Sequence, residues 1–386
     1  MNDPRIFWVG FNLVKGVGAV RFKALLDHFG DAQVAWEAPA QELRAAGLTD
    51  RIIDNLVQVR ASVDLNAIWE ELAAKEITLV TWLDENYPRR LKEIDQSPPV
   101  LFVRGELRTE DEWAVAVIGT RRISSYGRQV SEQIGTFLAH NGITVVSGLA
   151  RGVDSAAHQA AVNAGGRTLA VLGCGVDRIY PSENRRLAKQ IIDSGAIISD
   201  YSLGTKPESY NFPPRNRIIS GLSIAVVIVE AGESSGALIT STFAAEQGRE
   251  VFAIPGNIYA PQSKGTNKLI QQGAHPLLQP EDLLDALDLT LATEQQAART
   301  VLPADATEAK LFGVLTHEPT HVDEICAITD LPVAQVSASL ALMELKGLVR
   351  QVGSMHYVAI RELQSDYQVD ETQEDKGVIC QSITMR

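Results

Sequence analysis

The sequence predicts an α/β protein. A parallel sheet covered by helices on both faces stands between a small helical front end and a winged-helix module. Three observations carry this. Residues 113–288 alternate short apolar runs with amphipathic helical runs, and the apolar runs lack a polar face, as strands buried on both sides require. Residues 1 to about 80 carry helical patterns broken by glycine turns. From Glu308 to Ile360 the order is helix, helix, helix, hairpin.

In the front end, Val14-Lys15-Gly16-Val17-Gly18 precedes the amphipathic run Ala19 to Phe29, and Ala45-Ala46-Gly47-Leu48 precedes Thr49 to Val59. Two glycine-centred hairpins between short helices resemble helix-hairpin-helix or SAM-like units, whose loop amides can grip a DNA phosphate. Lys15, Arg21 and Lys23 are the nearby cations, so a packing domain without DNA contact stands as an equal reading. Short strands are expected at Thr78–Thr81 and Val100–Val103, joined through the connector Ser97-Pro98-Pro99. The expected division is 1–80 helical, 82–288 central α/β, 289–306 linker, 307–360 winged helix and 361–386 a disordered polar tail.

Central strands are predicted at 114–118, 143–147, 168–172, 196–199, 223–229 and 250–254. Helices fall near 126–140, 153–164, 183–194, 215–221 and 235–248. Every strand end carries glycine or polar residues, among them Ser147-Gly148, Gly173-Cys174-Gly175, Glu230-Ala231-Gly232 and Pro255-Gly256-Asn257. One rim of the sheet is therefore built for close approach of a ligand, at the carboxyl ends of the strands where such sheets bind.

The stretch Ala114 to Gly127 points to an anion. An apolar strand stops at Gly119, Arg121 and Arg122 follow, and Ser124, Tyr126 and Gly127 open a helix. Helix-start amides and a planar guanidinium suit phosphate. The glycine spacing is not that of a dinucleotide fingerprint. In the segment Asn211 to Gly221, Phe212 precedes a proline pair and Arg215 and Arg217 flank Asn216, the aromatic-plus-arginine kit of single-strand nucleic-acid binding. Asn216 serves equally well to satisfy loop backbone. Lys264, with Asn267 close behind, reads as a second phosphate contact.

The 386-residue chain carries a net charge of −13, which alone argues against a nucleic-acid binder. Residues 113–288, however, hold 15 Lys+Arg and 15 Asp+Glu, so the acidity lies in the flanks. Cys174, Cys326 and Cys380 are too dispersed for a metal site or disulfide framework, which fits a reducing cytoplasm. No signal pattern or membrane-length apolar run is present.

No catalytic set, P-loop or metal motif emerges, and no cofactor is expected. Asp154 and His158 stand four residues apart on one helix, as an acid–base pair or, more commonly, as a helix-start cap and a packed histidine. Glu230 is the best single candidate for a working carboxylate, and it could equally cap helix amides. In the winged-helix module the third helix carries only Glu344 and Lys346 as charges. That is poor for base readout and favours a protein-contact or regulatory role.

These segments together resemble the DNA-processing DprA (Smf) family. The resemblance rests on Gly119-Thr120-Arg121 with Ser124 and Tyr126-Gly127; Ser147 to Asp154; Leu172-Gly173 with Asp177, Tyr180-Pro181 and Asn184; Phe212-Pro213 with Arg215 to Ile219; Ser235 to Thr240; and Pro255-Gly256-Asn257. It covers about residues 82–288, and the two flanking modules resemble the family's accessory domains. It implies an extended Rossmann-like fold, a non-enzymatic single-stranded DNA binder, a homodimer, protection of incoming strands during natural transformation, and loading of RecA recombinase. By the same resemblance Arg121 holds a phosphate, Gly119 and Gly148 allow close approach, Phe212 contacts a base, and Arg215 with Arg217 shapes the pocket. Ser209 stands where some members have a basic residue, with Lys206 near but shifted. The rival reading is a nucleoside-monophosphate phosphoribohydrolase of the lysine-decarboxylase-like fold, although the Glu230 loop lacks that group's P-G-G-x-G-T turn.

Overall fold

The computed structural model describes residues 3–286, 306–315, 319–345, 349–352 and 355–359. The chain divides into two compact units, one ending at Leu283 and one beginning at Leu284.

The first unit is built on a nine-stranded sheet. Its strands are β1 (Thr78–Thr81), β2 (Val100–Gly105), β3 (Ala114–Ile118), β4 (Thr144–Ser147), β5 (Thr168–Val171), β6 (Ala196–Ser199), β7 (Ala225–Ile228), β8 (Glu250–Ala253) and β9 (His275–Pro276). Their order is β1-β2-β6-β5-β4-β3-β7-β8-β9. From β3 the chain winds outward through β4 and β5 to β6, then returns to the other side of β3 for β7 and β8. The switch point therefore lies between β3 and β7, which pair in parallel from Val115↔Ala225 to Ile118↔Ile228. β3 to β7 are buried along their whole length, as expected of apolar β-branched runs covered on both faces.

The all-parallel expectation needs one correction. β2 pairs antiparallel with both β1 and β6, so the sheet is mixed. The short connector from Glu106 to Trp113 is the reason. A parallel β2 would need a long crossover back along the sheet, whereas an antiparallel one ends at the edge where β3 begins. The connector is tied down there by Arg167, which pairs with Asp111 at 2.8 Å and donates to the Glu106 carbonyl.

Five helices of the sheet layers position the site: α8 (Ser125–His140), α9 (Val153–Asn163), α10 (Arg185–Ser194), α11 (Phe212–Gly221) and α12 (Ala237–Glu246). Ahead of them α1 (Ile6–Leu13), α2 (Ala19–Phe29), α3 (Ala32–Glu37), α4 (Ala40–Ala45), α5 (Asp50–Ser62) and α6 (Leu65–Ala74) form the front end, and α7 (Arg89–Lys92) lies in the β1–β2 connection. Trp8, Phe11, Phe22 and Trp36 of the front end share one core with Phe102, Leu172 and Ile197 of the sheet. The alternate residues Leu101, Val103 and Ile198 face the opposite core, with Ile218 of α11. Both glycine turns fall between helices as expected. At the first, Gly16 has φ +102° and Arg21 donates to its carbonyl at 2.8 Å. One of the three nearby cations is thus already engaged by the turn itself.

The second unit has helices at Ala306–Val314, Val322–Thr329 and Val333–Leu345, and a small sheet in the order β10 (Thr320–His321), β12 (His356–Ala359), β11 (Val349–Gln351). This is the expected winged-helix order. Leu311, Ile325, Val336, Leu340, Met343 and Tyr357 are among its core residues. On the third helix, Glu344 accepts the Gln351 amide at 2.9 Å and Gln335 reaches Thr307. The expected linker up to residue 305, Lys346, and the tail 361–386 with Cys380 lie outside the described residues. Among the described residues no single helix is long and apolar enough to cross a membrane.

Candidate nucleic-acid interface

A cleft of about 520 Å³ opens at the carboxyl ends of β3 and β7, at the switch point where open α/β sheets bind ligands. Gly119 and Arg121 after β3, Phe212, Arg215 and Asn216 of α11, and Gly236, Ala237, Ile239 and Thr240 at the start of α12 line it. α12 begins at Ala237, whose amide the Ser235 hydroxyl accepts at 3.3 Å. The Leu238 and Ile239 amides donate to the Ser235 and Gly236 carbonyls, so this helix start adds partial positive potential to the cleft without free amides.

Phe212 is the centre of the arrangement. It is the first residue of α11, not a loop residue, because Pro213 and Pro214 occupy helix-start positions where a missing N–H costs nothing. The Tyr180 ring stacks on it at 5.8 Å and 29°. The Arg121 guanidinium lies 5.2 Å from the ring centroid. A Cβ at Gly173 would stand 2.9 Å from the ring, so the glycine in the turn after β5 makes room for Phe212. Arg121 is exposed and has no carboxylate partner among the described residues, which leaves its donors available to an anion.

Arg215 departs from expectation. It lines the cleft but is only 4% exposed. Its guanidinium donates to the carbonyls of Gly148, at 3.1 Å, and Val171. It clasps the ends of β4 and β5 from beneath and contributes positive potential without offering those donors to a phosphate. Asp154 sits beside it, accepting the amides of Gly148 and Ala150 at 3.2 Å each. Burial pushes the Asp154 carboxyl above its ordinary value, while the Arg215 charge and the two amides oppose that shift. A Cβ on Gly148 would come within 2.7 Å of Arg215. Glycine at 148 is thus required by this buried cluster before any ligand is considered.

Arg217 is not brought to the cleft. It pairs with Asp200 at 2.9 Å and donates to the carbonyls of Gln96 and Pro214. It faces a separate cavity of about 260 Å³ near Trp8, Gly18 and Tyr201. Consecutive helical residues diverge by about 100°, so Arg215 and Arg217 cannot share one face. Asn216 stays at the cleft and bridges helices, its Nδ2 3.4 Å from the Gly236 carbonyl.

Ser124 and Gly127 are likewise structural. Ser124 caps α8, its hydroxyl accepting the Gly127 amide at 3.0 Å and donating to Glu230. Glu230 also accepts the Ser124 amide at 2.9 Å and is 3% exposed. A Cβ at Gly127 would meet its carboxylate at 2.3 Å. Glu230 therefore caps the helix after β3, not the helix after its own strand, and is spent as a working carboxylate. Gly119 packs against Val153, where a Cβ would stand 2.6 Å away.

Lys264 begins α13 (Lys264–Gln271) and is exposed, but it does not line the cleft. Asn267 is a clasp: its side chain accepts the Gly256 amide at 3.1 Å and donates to the Gly256 carbonyl at 3.0 Å. Ser209 does line the cleft, whereas Lys206 does not. His158 and Asp154 do not interact as an acid–base pair. The His158 Nδ1 lies 2.6 Å from the Thr168 hydroxyl, and burial pushes its pKa down to about 3.

Sequence reasoning left out of the binding set Tyr180, Ser209 and the α12 start. Tyr180 was legible only as a Tyr-Pro pair in a rim loop. Nothing in the sequence indicates that its ring would meet Phe212.

Fold and site together define a doubly wound α/β protein whose switch-point cleft offers a free guanidinium, a helix start and stacked rings to an anionic, ring-bearing ligand. Comparison with known proteins agrees. The family described as DNA recombination-mediator protein A matches residues 78–288, and the DprA winged-helix domain matches residues 295–354. Protein Smf of Synechocystis sp. is 36% identical over 393 residues, covering 92% of this chain and 99% of that protein. The DNA processing protein DprA of Streptococcus pneumoniae is 44% identical over 202 residues, 52% of this chain and 71% of that protein. The X-ray structure of Streptococcus pneumoniae DprA superposes with a TM-score of 0.64 at 34% identity, covering 72% of this chain and 97% of that one. A Helicobacter pylori DprA structure, described for its single-stranded DNA binding mode, gives a TM-score of 0.50 at 30% identity, covering 55% of this chain and 95% of that one. The chain belongs to the DprA/Smf DNA-processing family.

Proposed function

We propose that this protein binds single-stranded DNA in the switch-point cleft, protects incoming strands, and loads RecA recombinase onto them during natural transformation and recombination. One observation carries the DNA-binding step: Arg121, without a carboxylate partner among the described residues, lies over Phe212, which is itself stacked with Tyr180. Phosphate pairing beside an aromatic platform is how single strands are held without base readout. Membership of the DprA/Smf family, and the binding mode described for the Helicobacter pylori relative, support the same reading. The activity is binding without turnover. The carboxylate on which the phosphoribohydrolase alternative depended, Glu230, is committed to capping α8. The homodimer, the RecA contact, a cytoplasmic location and residues 82–288 as the DNA-binding domain belong to this proposal.

The test is fluorescence anisotropy of labelled poly-dT and of the matching duplex across a salt series. Selective single-strand binding is expected, falling steeply with salt. Arg121→Glu should weaken it several-fold or more while leaving thermal unfolding unchanged. Normal binding by Arg121→Glu would remove the cleft assignment. RecA loading onto coated strands and sedimentation of the free protein check the partner and the dimer.

A further inference from the structure

Among the described residues, the exposed aromatic rings other than histidine are four tyrosines: Tyr126 (48% exposed), Tyr180 (44%), Tyr210 (72%) and Tyr259 (84%). All four sit on one rim. Tyr126 opens α8 after β3, Tyr180 follows β5, Tyr210 follows β6 and Tyr259 follows β8. Tyr180 belongs to the cleft already described. Tyr259 lies across the switch point, and Tyr126, after β3, reaches the β8 loop through its hydroxyl; the cleft includes neither. From β5 to β8 is four strand spacings, about 19 Å along the rim.

The loop that presents Tyr259 is held rigidly. Asn267 clasps both backbone groups of Gly256, Asn257 accepts the Tyr259 amide at 2.9 Å, and the Tyr126 hydroxyl donates to the Pro255 carbonyl at 3.1 Å. A fixed loop that leaves a tyrosine 84% exposed is a preorganised surface, for which ordering on binding costs little. Arg122, in the loop that leads to Tyr126, and Lys264, at the start of the helix that follows Tyr259, are both exposed and both without a carboxylate partner among the described residues, and the β7 loop between β3 and β8 has one exposed carboxylate, Glu233.

We propose that Tyr126 and Tyr259 form a second base-stacking platform, with Arg122 and Lys264 as its phosphate partners. The single strand leaves Phe212 and Tyr180, crosses the switch point, and continues over the rim of β7 and β8. This extends the DNA-binding reading above and rests on it. The platform's place on the same rim as the cleft and the exposed cations on its bordering segments favour nucleic acid over a protein partner on this surface, although Ile258 beside Tyr259 is also exposed. It also assigns Asn267 a role: it holds the loop that stacks, and does not itself meet phosphate.

The experiment is anisotropy with dT oligomers from about 4 to about 16 nucleotides, using the full-length chain and Tyr259→Ala, Tyr259→Phe and Arg121→Glu. Tyr259→Ala should lose about 5- to 150-fold in affinity for the longest oligomers and nothing for the shortest. Tyr259→Phe should restore the wild-type length dependence, because the ring face is retained. Tyr259→Ala indistinguishable from wild type at every length overturns the platform. So does a Tyr259→Ala defect that appears as altered sedimentation without length dependence, which would make this surface a contact between copies of the chain. Normal binding by Arg121→Glu instead overturns the cleft reading on which the platform depends.

Discussion

Phe212→Ala separates stacking from charge in the cleft. The ring lines the cleft, with the Tyr180 ring at 5.8 Å and the Arg121 guanidinium at 5.2 Å from it. Its removal deletes the face on which a base would stack and leaves every nearby cation in place. Base–aromatic stacking contributes about 1–3 kcal/mol per base, so single-strand affinity should fall about 5- to 150-fold. The slope of log affinity against log salt should not change, since no phosphate contact is lost. Arg121→Ala should behave oppositely, flattening that slope by about 0.7 for the one phosphate released. Phe212 is only partly buried, so its truncation should destabilise the fold by less than the roughly 3–5 kcal/mol of a fully buried phenylalanine. Thermal unfolding of the variant checks that binding is measured on folded protein. The assay is anisotropy of labelled poly-dT across a salt series. A Phe212→Ala variant with unchanged affinity, or one that flattens the salt slope as Arg121→Ala does, would refute the assignment of the ring to stacking.

Three further outcomes follow from the buried polar groups. Glu230→Gln should destabilise the protein by about 1–3 kcal/mol in thermal or denaturant unfolding, because two hydrogen bonds at the start of α8 lose their charged acceptor, and no base should be released from nucleoside monophosphates by either form. His158 is neutral in the fold, with its pKa pushed from 6.5 to about 3. The unfolded chain therefore binds the extra proton first, and the stability this residue supports is lost as pH falls from about 6.5 towards 3, at about 1.4 kcal/mol per pH unit. His158→Gln should flatten that acid limb in denaturant melts between pH 6 and 4. Arg217→Ala should leave single-strand affinity near wild type and lower stability by about 1–3 kcal/mol, since Asp200 is left without its partner; a large affinity loss would place Arg217 back at the DNA.

Residue type and periodicity alone determined the six central strands, the helices between them, the winged-helix order and the rim on which the ligand sits, because a strand buried on both faces must be continuously apolar and its end must turn through small or polar residues. Arg121 and Phe212 were legible for the same local reason: a permanent charge and a ring, each placed where no core position could use it. The tertiary structure decided the rest. Serine, asparagine and arginine make the same hydrogen bonds to backbone as to phosphate, so the sequence could not distinguish Ser124 as a cap, Asn267 as a clasp or Arg215 as a buried tie from ligands of DNA. Nor could it bring Tyr180 to Phe212, which lie on segments separated by a strand and a helix. Contacts between distant segments depend on how the sheet is wound, and it is the position of β7 beside β3 that opens the cleft.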